Sequence, residues 1–91
     1  MAYGTDFLHY ELNHIGPNQT IQVVLDSQAY VRLMDYSNYI SYLDGRQYNY
    51  YGGLVKVSPY KLKPPFLSNW HLIIDLGGDS GYINAQVKIL N

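Results

Sequence analysis

The sequence predicts an all-β, mostly antiparallel fold: a small β-sandwich or barrel-like domain of six to seven strands, with one short helical or 3-10 crossover near residues 37–44. Three observations carry this. Apolar residues recur mostly at every second position, the period of a half-buried strand. Glycine, proline, asparagine and aspartate fall between those runs, where turns need them. Finally, 91 residues without a cysteine make a single domain, 1–91, at the small end of what buries a self-sufficient core, with no disulfide or thiolate site to staple it. Residues 1–6 read as a flexible N-terminal segment.

Taken in order, FLHYELNH alternates Leu8, Tyr10 and Leu12 with His9, Glu11 and Asn13. TIQVVLD puts Ile21, Val23 and Leu25 on one face, and AYVRLMD puts Val31 and Leu33 on one side with Tyr30, Arg32 and Met34 on the other. DYSNYISYLDGR breaks the period: Tyr36, Tyr39 and Tyr42 recur at spacing three, Ser37 or Asn38 offers an N-cap, and Gly45 offers a stop. That segment is too short and polar for a core helix and is expected as a crossover lying on the sandwich. LVKVS and YKLK straddle Pro59, which removes a ladder donor and marks an edge, a bulge or a strand start. Pro64-Pro65 ends the second run. NWHLIIDLG aligns Trp70, Leu72, Ile74 and Leu76, and a last strand over 82–90 aligns Ile83, Ala85, Val87 and Ile89. Ile73 and Val24 place apolar side chains on the opposite faces of their strands, so those faces are covered by the crossover or meet another subunit, with a homodimer through a sheet face or edge as the expectation.

Six basic against seven acidic residues give a formal net charge of −1, and the basic residues are scattered in the sequence. Nucleic-acid or polybasic membrane binding gains no support from that balance. The N-terminus lacks a basic region followed by an apolar run, and no apolar stretch approaches the ~20 residues of a membrane span. A cytoplasmic protein with no membrane association is the expectation.

LIIDLGGDSGY, residues 72–82, contains Gly-Asp-Ser-Gly, the letters around the nucleophile of chymotrypsin-like proteases. A serine nucleophile also needs a base, an orienting acid and an oxyanion hole. His71 lies at the far end of the strand that leads into this loop, the protease motif continues with a second glycine where Tyr82 stands, and that protease class needs two barrels. Gly77 to Gly81 therefore read as a hairpin loop in which glycines supply positive φ and Asp79 and Ser80 cap the turn. For zinc, His9 and His14 differ by five residues and point to opposite faces of a continuous strand, and no cysteine is present. A metal site would have to join His71, a first-strand histidine and a carboxylate such as Glu11 or Asp75 across strands. No helix or Lys-Ser/Thr pair follows Gly52-Gly53 or Gly77-Gly78, so phosphate binding is not indicated. No catalytic residue, metal ligand or cofactor is expected.

Seven of the eleven tyrosines lie between positions 36 and 60. Tyrosine joins an apolar ring to a polar tip and binds at low entropy cost. The candidate ligand- or partner-binding residues are Tyr36, Asn38, Tyr39, Tyr42, Arg46, Tyr48, Tyr50, Tyr51, Trp70 and His71. The rings either cover a sandwich too small to hide its core, or form a surface for a protein partner or a second copy, or stack a small ligand such as a sugar or nucleobase. Nucleic-acid stacking usually comes with a positive groove, which is not apparent.

The blocks FLHYELNH, YVRLMDYSNY (30–39), GRQYNYYGGLVKVSPYKL (45–62) and WHLIIDLGG (70–78) resemble the small bacterial family called domain of unknown function 1883, in order and over Phe7 to Leu90. The resemblance implies a β-rich domain that occurs alone or fused to a Toll/interleukin-1-receptor-type domain, an effector class that often cleaves NAD. It brings no activity and no catalytic residue. The family pattern is more basic after Gly45-Arg46, where Gln47, Tyr48 and Asn49 stand here, so an anion-binding role does not carry over. Gly45, Gly52, Gly53, Gly77, Gly78 and Gly81 are expected to serve turns and backbone geometry. Arg32 is expected to pair with Asp35 or Asp75 across the sandwich. The reading these residues support is a non-catalytic binding or sensing module acting through its Tyr-rich surface, in bacterial signalling or immunity. The alternatives are a small hydrolase or metal-dependent enzyme using His71, Asp75 and a first-strand histidine, or a structural subunit of an assembly.

Overall fold

The computed structural model describes residues 7–79 and 81–91. The expected N-terminal segment 1–6 and Ser80, the serine of the Gly-Asp-Ser-Gly stretch, lie outside the described residues. Seven strands and one helix follow one another as β1 (Phe7–Ile15), β2 (Thr20–Leu25), β3 (Ala29–Met34), α1 (Tyr36–Leu43), β4 (Tyr51–Val55), β5 (Tyr60–Leu62), β6 (Ser68–Asp75) and β7 (Ala85–Leu90). They form two antiparallel sheets, β1-β6-β3-β4 and β5-β2-β7, and the fold is thus a sandwich rather than a barrel.

Alternation sets which residues meet between the sheets. Val31 and Leu33 of β3, Trp70, Leu72 and Ile74 of β6, and Ile21 and Val23 of β2 are buried together with Ile15, Ala29 and Val55. Leu8, Tyr10 and Leu12 of β1 and Val87 and Ile89 of β7 close the sides of this core. Each fully buried large aliphatic side chain contributes about 1.5–3 kcal/mol.

Only β3 and β4, joined through α1, are consecutive strands in one sheet; every other strand-to-strand connection passes between sheets. This corrects the hairpin reading of Gly77–Gly81. β6 pairs with β1 and β3 whereas β7 pairs with β2, so the loop is an arch from one sheet to the other. The last strand starts at Ala85 rather than at residue 82, with Asn84 donating from its backbone N–H and its Nδ2 to the Asp26 carboxylate, each at 3.0 Å. A strand through Val57 is also corrected: β4 ends at Val55 and Val57 is exposed. Ser58 instead extends the sheet at the end of β2, its Oγ accepting from Leu25 N–H at 2.8 Å and donating to Leu25 O at 3.3 Å. Gly45, Gly77, Gly78 and Gly81 lie outside strands as expected, but Gly52 and Gly53, expected at a turn, sit inside β4.

Candidate functional site

The outer face of the four-stranded sheet is built by the residues that alternate with the core. β1 contributes Phe7, His9 and Glu11, β6 contributes His71, Ile73 and Asp75, and β3 contributes Tyr30, Arg32 and Met34. Ile73 pairs with His9 on one side and Arg32 on the other, while His71 pairs with Glu11 and Asp75 with Tyr30. His9 and His71 are therefore diagonal neighbours across β1 and β6, as are Arg32 and Asp75 across β3 and β6. Diagonal positions lie within reach of long and aromatic side chains.

Arg32 and Asp75 use that diagonal for a bidentate pair, Nε to Oδ2 at 2.9 Å and Nη2 to Oδ1 at 3.0 Å. The pair lies within one sheet, which corrects the expectation of a bridge across the sandwich. Tyr42 donates to Asp75 Oδ2 at 2.8 Å and Gly77 N–H to Oδ1 at 2.9 Å. The guanidinium carbon sits 4.5 Å from the Tyr30 ring centroid and 4.9 Å from that of Tyr50. Burial alone would raise the Asp75 pKa; the hydrogen bonds from Arg32, Gly77 and Tyr42, with the Arg32 charge, outweigh it and hold the carboxyl below its usual range. Burial first, then the bond to Asp75, raises the Tyr42 hydroxyl well above the ordinary tyrosine value.

Across Ile73, His9 Nε2 and His71 Nδ1 are 2.9 Å apart, and Tyr39 Oη lies 3.2 Å from His9 Nδ1. The Tyr39 ring stacks on both imidazoles, 4.5 Å and 5° from His71 and 4.4 Å and 20° from His9. Burial lowers the pKa of both histidines, and His9 lowers His71 further; Glu11 opposes this at both rings and Asp35 at His71.

Helix α1 brings Tyr39 and Tyr42 to these two clusters. Its N-cap is Asp35, not Ser37 or Asn38: the Asp35 side chain accepts from Asn38 N–H at 3.0 Å, and Asn38 Nδ2 and Ser37 Oγ donate to the same oxygen. The helix stops at Gly45 (φ 72°), with Gly45 N–H bonded to Tyr42 O and Arg46 N–H to Ser41 O, the paired bonds of a Schellman end. Asn38 Oδ1 then accepts from Asn49 N–H at 2.9 Å, tying the segment before β4 back to the helix. The Tyr48 ring meets Tyr42 edge-on and lies 5.8 Å from Tyr50. The crossover is what covers the second face, leaving Ile73 at 0 % and Met34 at 1 % exposure.

The predicted site residues thus divide. Tyr39, Tyr42, Tyr48, Asn38 and His71 form the packed layer between α1 and the sheet. Tyr36 and Tyr50 are exposed, at 62 % and 37 %, whereas Tyr51, 50 % exposed, pairs with Leu33 and turns its ring to the core side, edge-on to Trp70 at 6.0 Å. Arg46 stands apart, in an exposed pair with Asp44 at 3.1 Å. Trp70 is corrected to a core residue, 1 % exposed, with Nε1 donating to Phe66 O at 3.0 Å. A histidine of β1 does meet His71, but Asp75 is held by Arg32 and Tyr42, and among the described residues no three His, Asp or Glu side chains converge on a metal position. Sequence reasoning missed Tyr30 as a partner of Arg32, although the i, i+2 spacing on one strand already places the two on one side.

The scattered basic residues also regroup. Lys61 and Lys88 both pair with Gln22, so the two ammonium groups share a row on the outer face of β5-β2-β7, with Lys63 just beyond β5. Three lysines at about 1 kcal/mol each near an anionic surface give about 3 kcal/mol, too little to hold the domain there alone. On the other sheet a depression of about 310 Å³ lies beside Tyr30, Leu54 and Leu76.

Fold and site together define a small all-β sandwich domain whose one helix shelves an aromatic layer on a sheet face. The chain matches the family model "Domain of unknown function (DUF1883)" over residues 5–91 and belongs to that family. No curated protein and no solved structure matches it. Among the described residues no helix is long and apolar enough to cross a membrane.

Proposed function

We propose that the domain is a non-catalytic binding module whose partner surface is the aromatic layer of residues 36–50, and that its partner is a protein. The observation that carries this is the division of the tyrosines into a locked inner set and the exposed residues Tyr36 and Tyr50. The inner set is fixed by the Asp75 and His9 contacts, so the outer rings stand on a pre-ordered base and lose little entropy on binding. Exposed Leu43 and Leu54 add apolar area in the same part of the chain. The setting proposed with it is a cytoplasmic module working beside a separate effector in bacterial signalling or immunity; the effector is suggested by the family resemblance, the location by the lack of a signal-like N-terminus in the sequence.

The test is site-specific photocrosslinking in the source cell. A photoreactive phenylalanine analogue in place of Tyr36 is expected to capture one discrete protein, and the same analogue in place of Lys88 on the opposite sheet is expected to capture none. Capture from position 88 with none from position 36 overturns the reading. Capture of the chain itself identifies self-association as the form the interaction takes.

A further inference from the structure

We propose that the Tyr39–His71–His9 stack is an acid-released latch that holds helix α1 on the sheet. The latch rests on its own geometry and goes beyond the partner reading.

Two imidazoles 2.9 Å apart, nitrogen to nitrogen, hold one hydrogen between them. With both rings neutral, one donates and the other accepts. A first proton from solvent leaves one N–H between the rings. A second puts an N–H on both facing nitrogens, so donor faces donor and charge faces charge, and the pair must part. Tyr39 lies flat on both rings, so it cannot keep both contacts when they separate. Tyr39 and Tyr42 are the helix's anchors to the outer face, and no residue of α1 is itself fully buried. Loss of the Tyr39 contact leaves α1 held at its C-terminal half by Tyr42 and at its start by the Asp35 cap.

The charged and titratable surroundings set how far the release goes. β1 supplies Glu11, and the start of α1 supplies Asp35, Tyr36 and Tyr39. Arg32 of β3 and Asp75 of β6 neutralise each other on the far side of Ile73. Burial opposes protonation of both rings and His9 opposes it further at His71, while Glu11 favours it at both rings and Asp35 at His71. His71 is 5 % exposed beneath the more open His9, so water reaches the pair through His9.

The experiment follows the histidine and Tyr39 ring signals by NMR from pH 7.5 to 5, and amide exchange of α1 relative to β3, corrected for the intrinsic pH dependence. Wild type is expected to show both histidines titrating below 6.5 together with the Tyr39 signals, and α1 protection falling about tenfold for each unit by which the pair is lowered. His9→Gln removes the second charge together with one of the two rings under Tyr39, so α1 protection is expected to start lower than in wild type but to stay constant across the range. Constant α1 protection in wild type, or an equal acid loss in His9→Gln, overturns the latch. Neither readout depends on a binding partner, so failure of the latch and failure of the partner reading are separately visible.

Discussion

His9 and Arg32 stand opposite the same residue, Ile73, one on each side of β6. The isoleucine is fully buried and keeps the histidine stack and the ion pair from merging into one polar network. Ile73→Ala is expected to cost about 2–5 kcal/mol in urea unfolding, the range for emptying a buried aliphatic site. Ile73→Val is expected to cost about 0.5–1.5 kcal/mol. Equal, negligible effects of the two would show that α1 does not seal this face.

Asp75 neutralises Arg32, whose side chain is 11 % exposed. Asp75→Ala leaves the Arg32 guanidinium unpaired between two tyrosines and is expected to destabilise by about 3–5 kcal/mol. Replacing both partners, as in Arg32→Met with Asp75→Leu, is expected to cost less than Asp75→Ala alone, because no buried charge remains. Thermal unfolding of the three proteins checks the order.

Among the described glycines, Gly52 is the least open to substitution. Its φ is 113°, and a Cβ there would collide with the Val31 carbonyl oxygen across the β3–β4 ladder. Gly52→Ala combines that collision with a strained conformation worth about 1–3 kcal/mol and is expected to detach β4. Gly45→Ala, at φ 72° in open space, is expected to cost only the left-handed penalty of about 1–2 kcal/mol. Amide exchange in residues 51–55 distinguishes the two variants.

Stability is expected to fall with acid in two stages. His9 and His71 are lowered, so the unfolded chain takes up their protons first; their contribution is full above 6.5 and declines below it. Asp75 and Asp35 are also lowered, Asp35 chiefly by the Asn38 N–H, so their contribution is full above 3.8 and is lost as pH falls through their folded values. Tyr42 is raised, so stability falls again as pH climbs above 10. Denaturation midpoints measured from pH 3 to 11 are expected to show a shallow loss beginning at about pH 6.5 and a steep one below about 4.

The strands were legible because one face of each is buried and the period of two is then enforced residue by residue, as in Val31-Leu33 and Trp70-Leu72-Ile74. The short crossover was legible from the tyrosine spacing and Gly45. Asp35 was less so: Asp, Ser and Asn all cap helices, and DYSN offers three of them in a row. The Gly77–Gly81 arch has the composition of a hairpin, and only the pairing of β7 with β2 separates the two. Trp70 looked like a binding residue by type, although its alternation with Leu72 already placed it inside. The site itself was the least legible part. His9 with His71 and Arg32 with Asp75 meet through register, and register depends on partners more than forty residues away in the chain.

A chain in which nearly every connection changes sheets has few pairings it can form early. Phe7 must find Asp75, and Thr20 must find Leu90, before β1 or β7 gains a neighbour. The entropy of closing such loops precedes the reward, which places folding among the slow all-β cases of milliseconds to seconds, a range stopped-flow refolding reads directly. Only β3, α1 and β4 can pair without that wait. The part of the molecule able to assemble first is the part that carries Tyr36 and Tyr50.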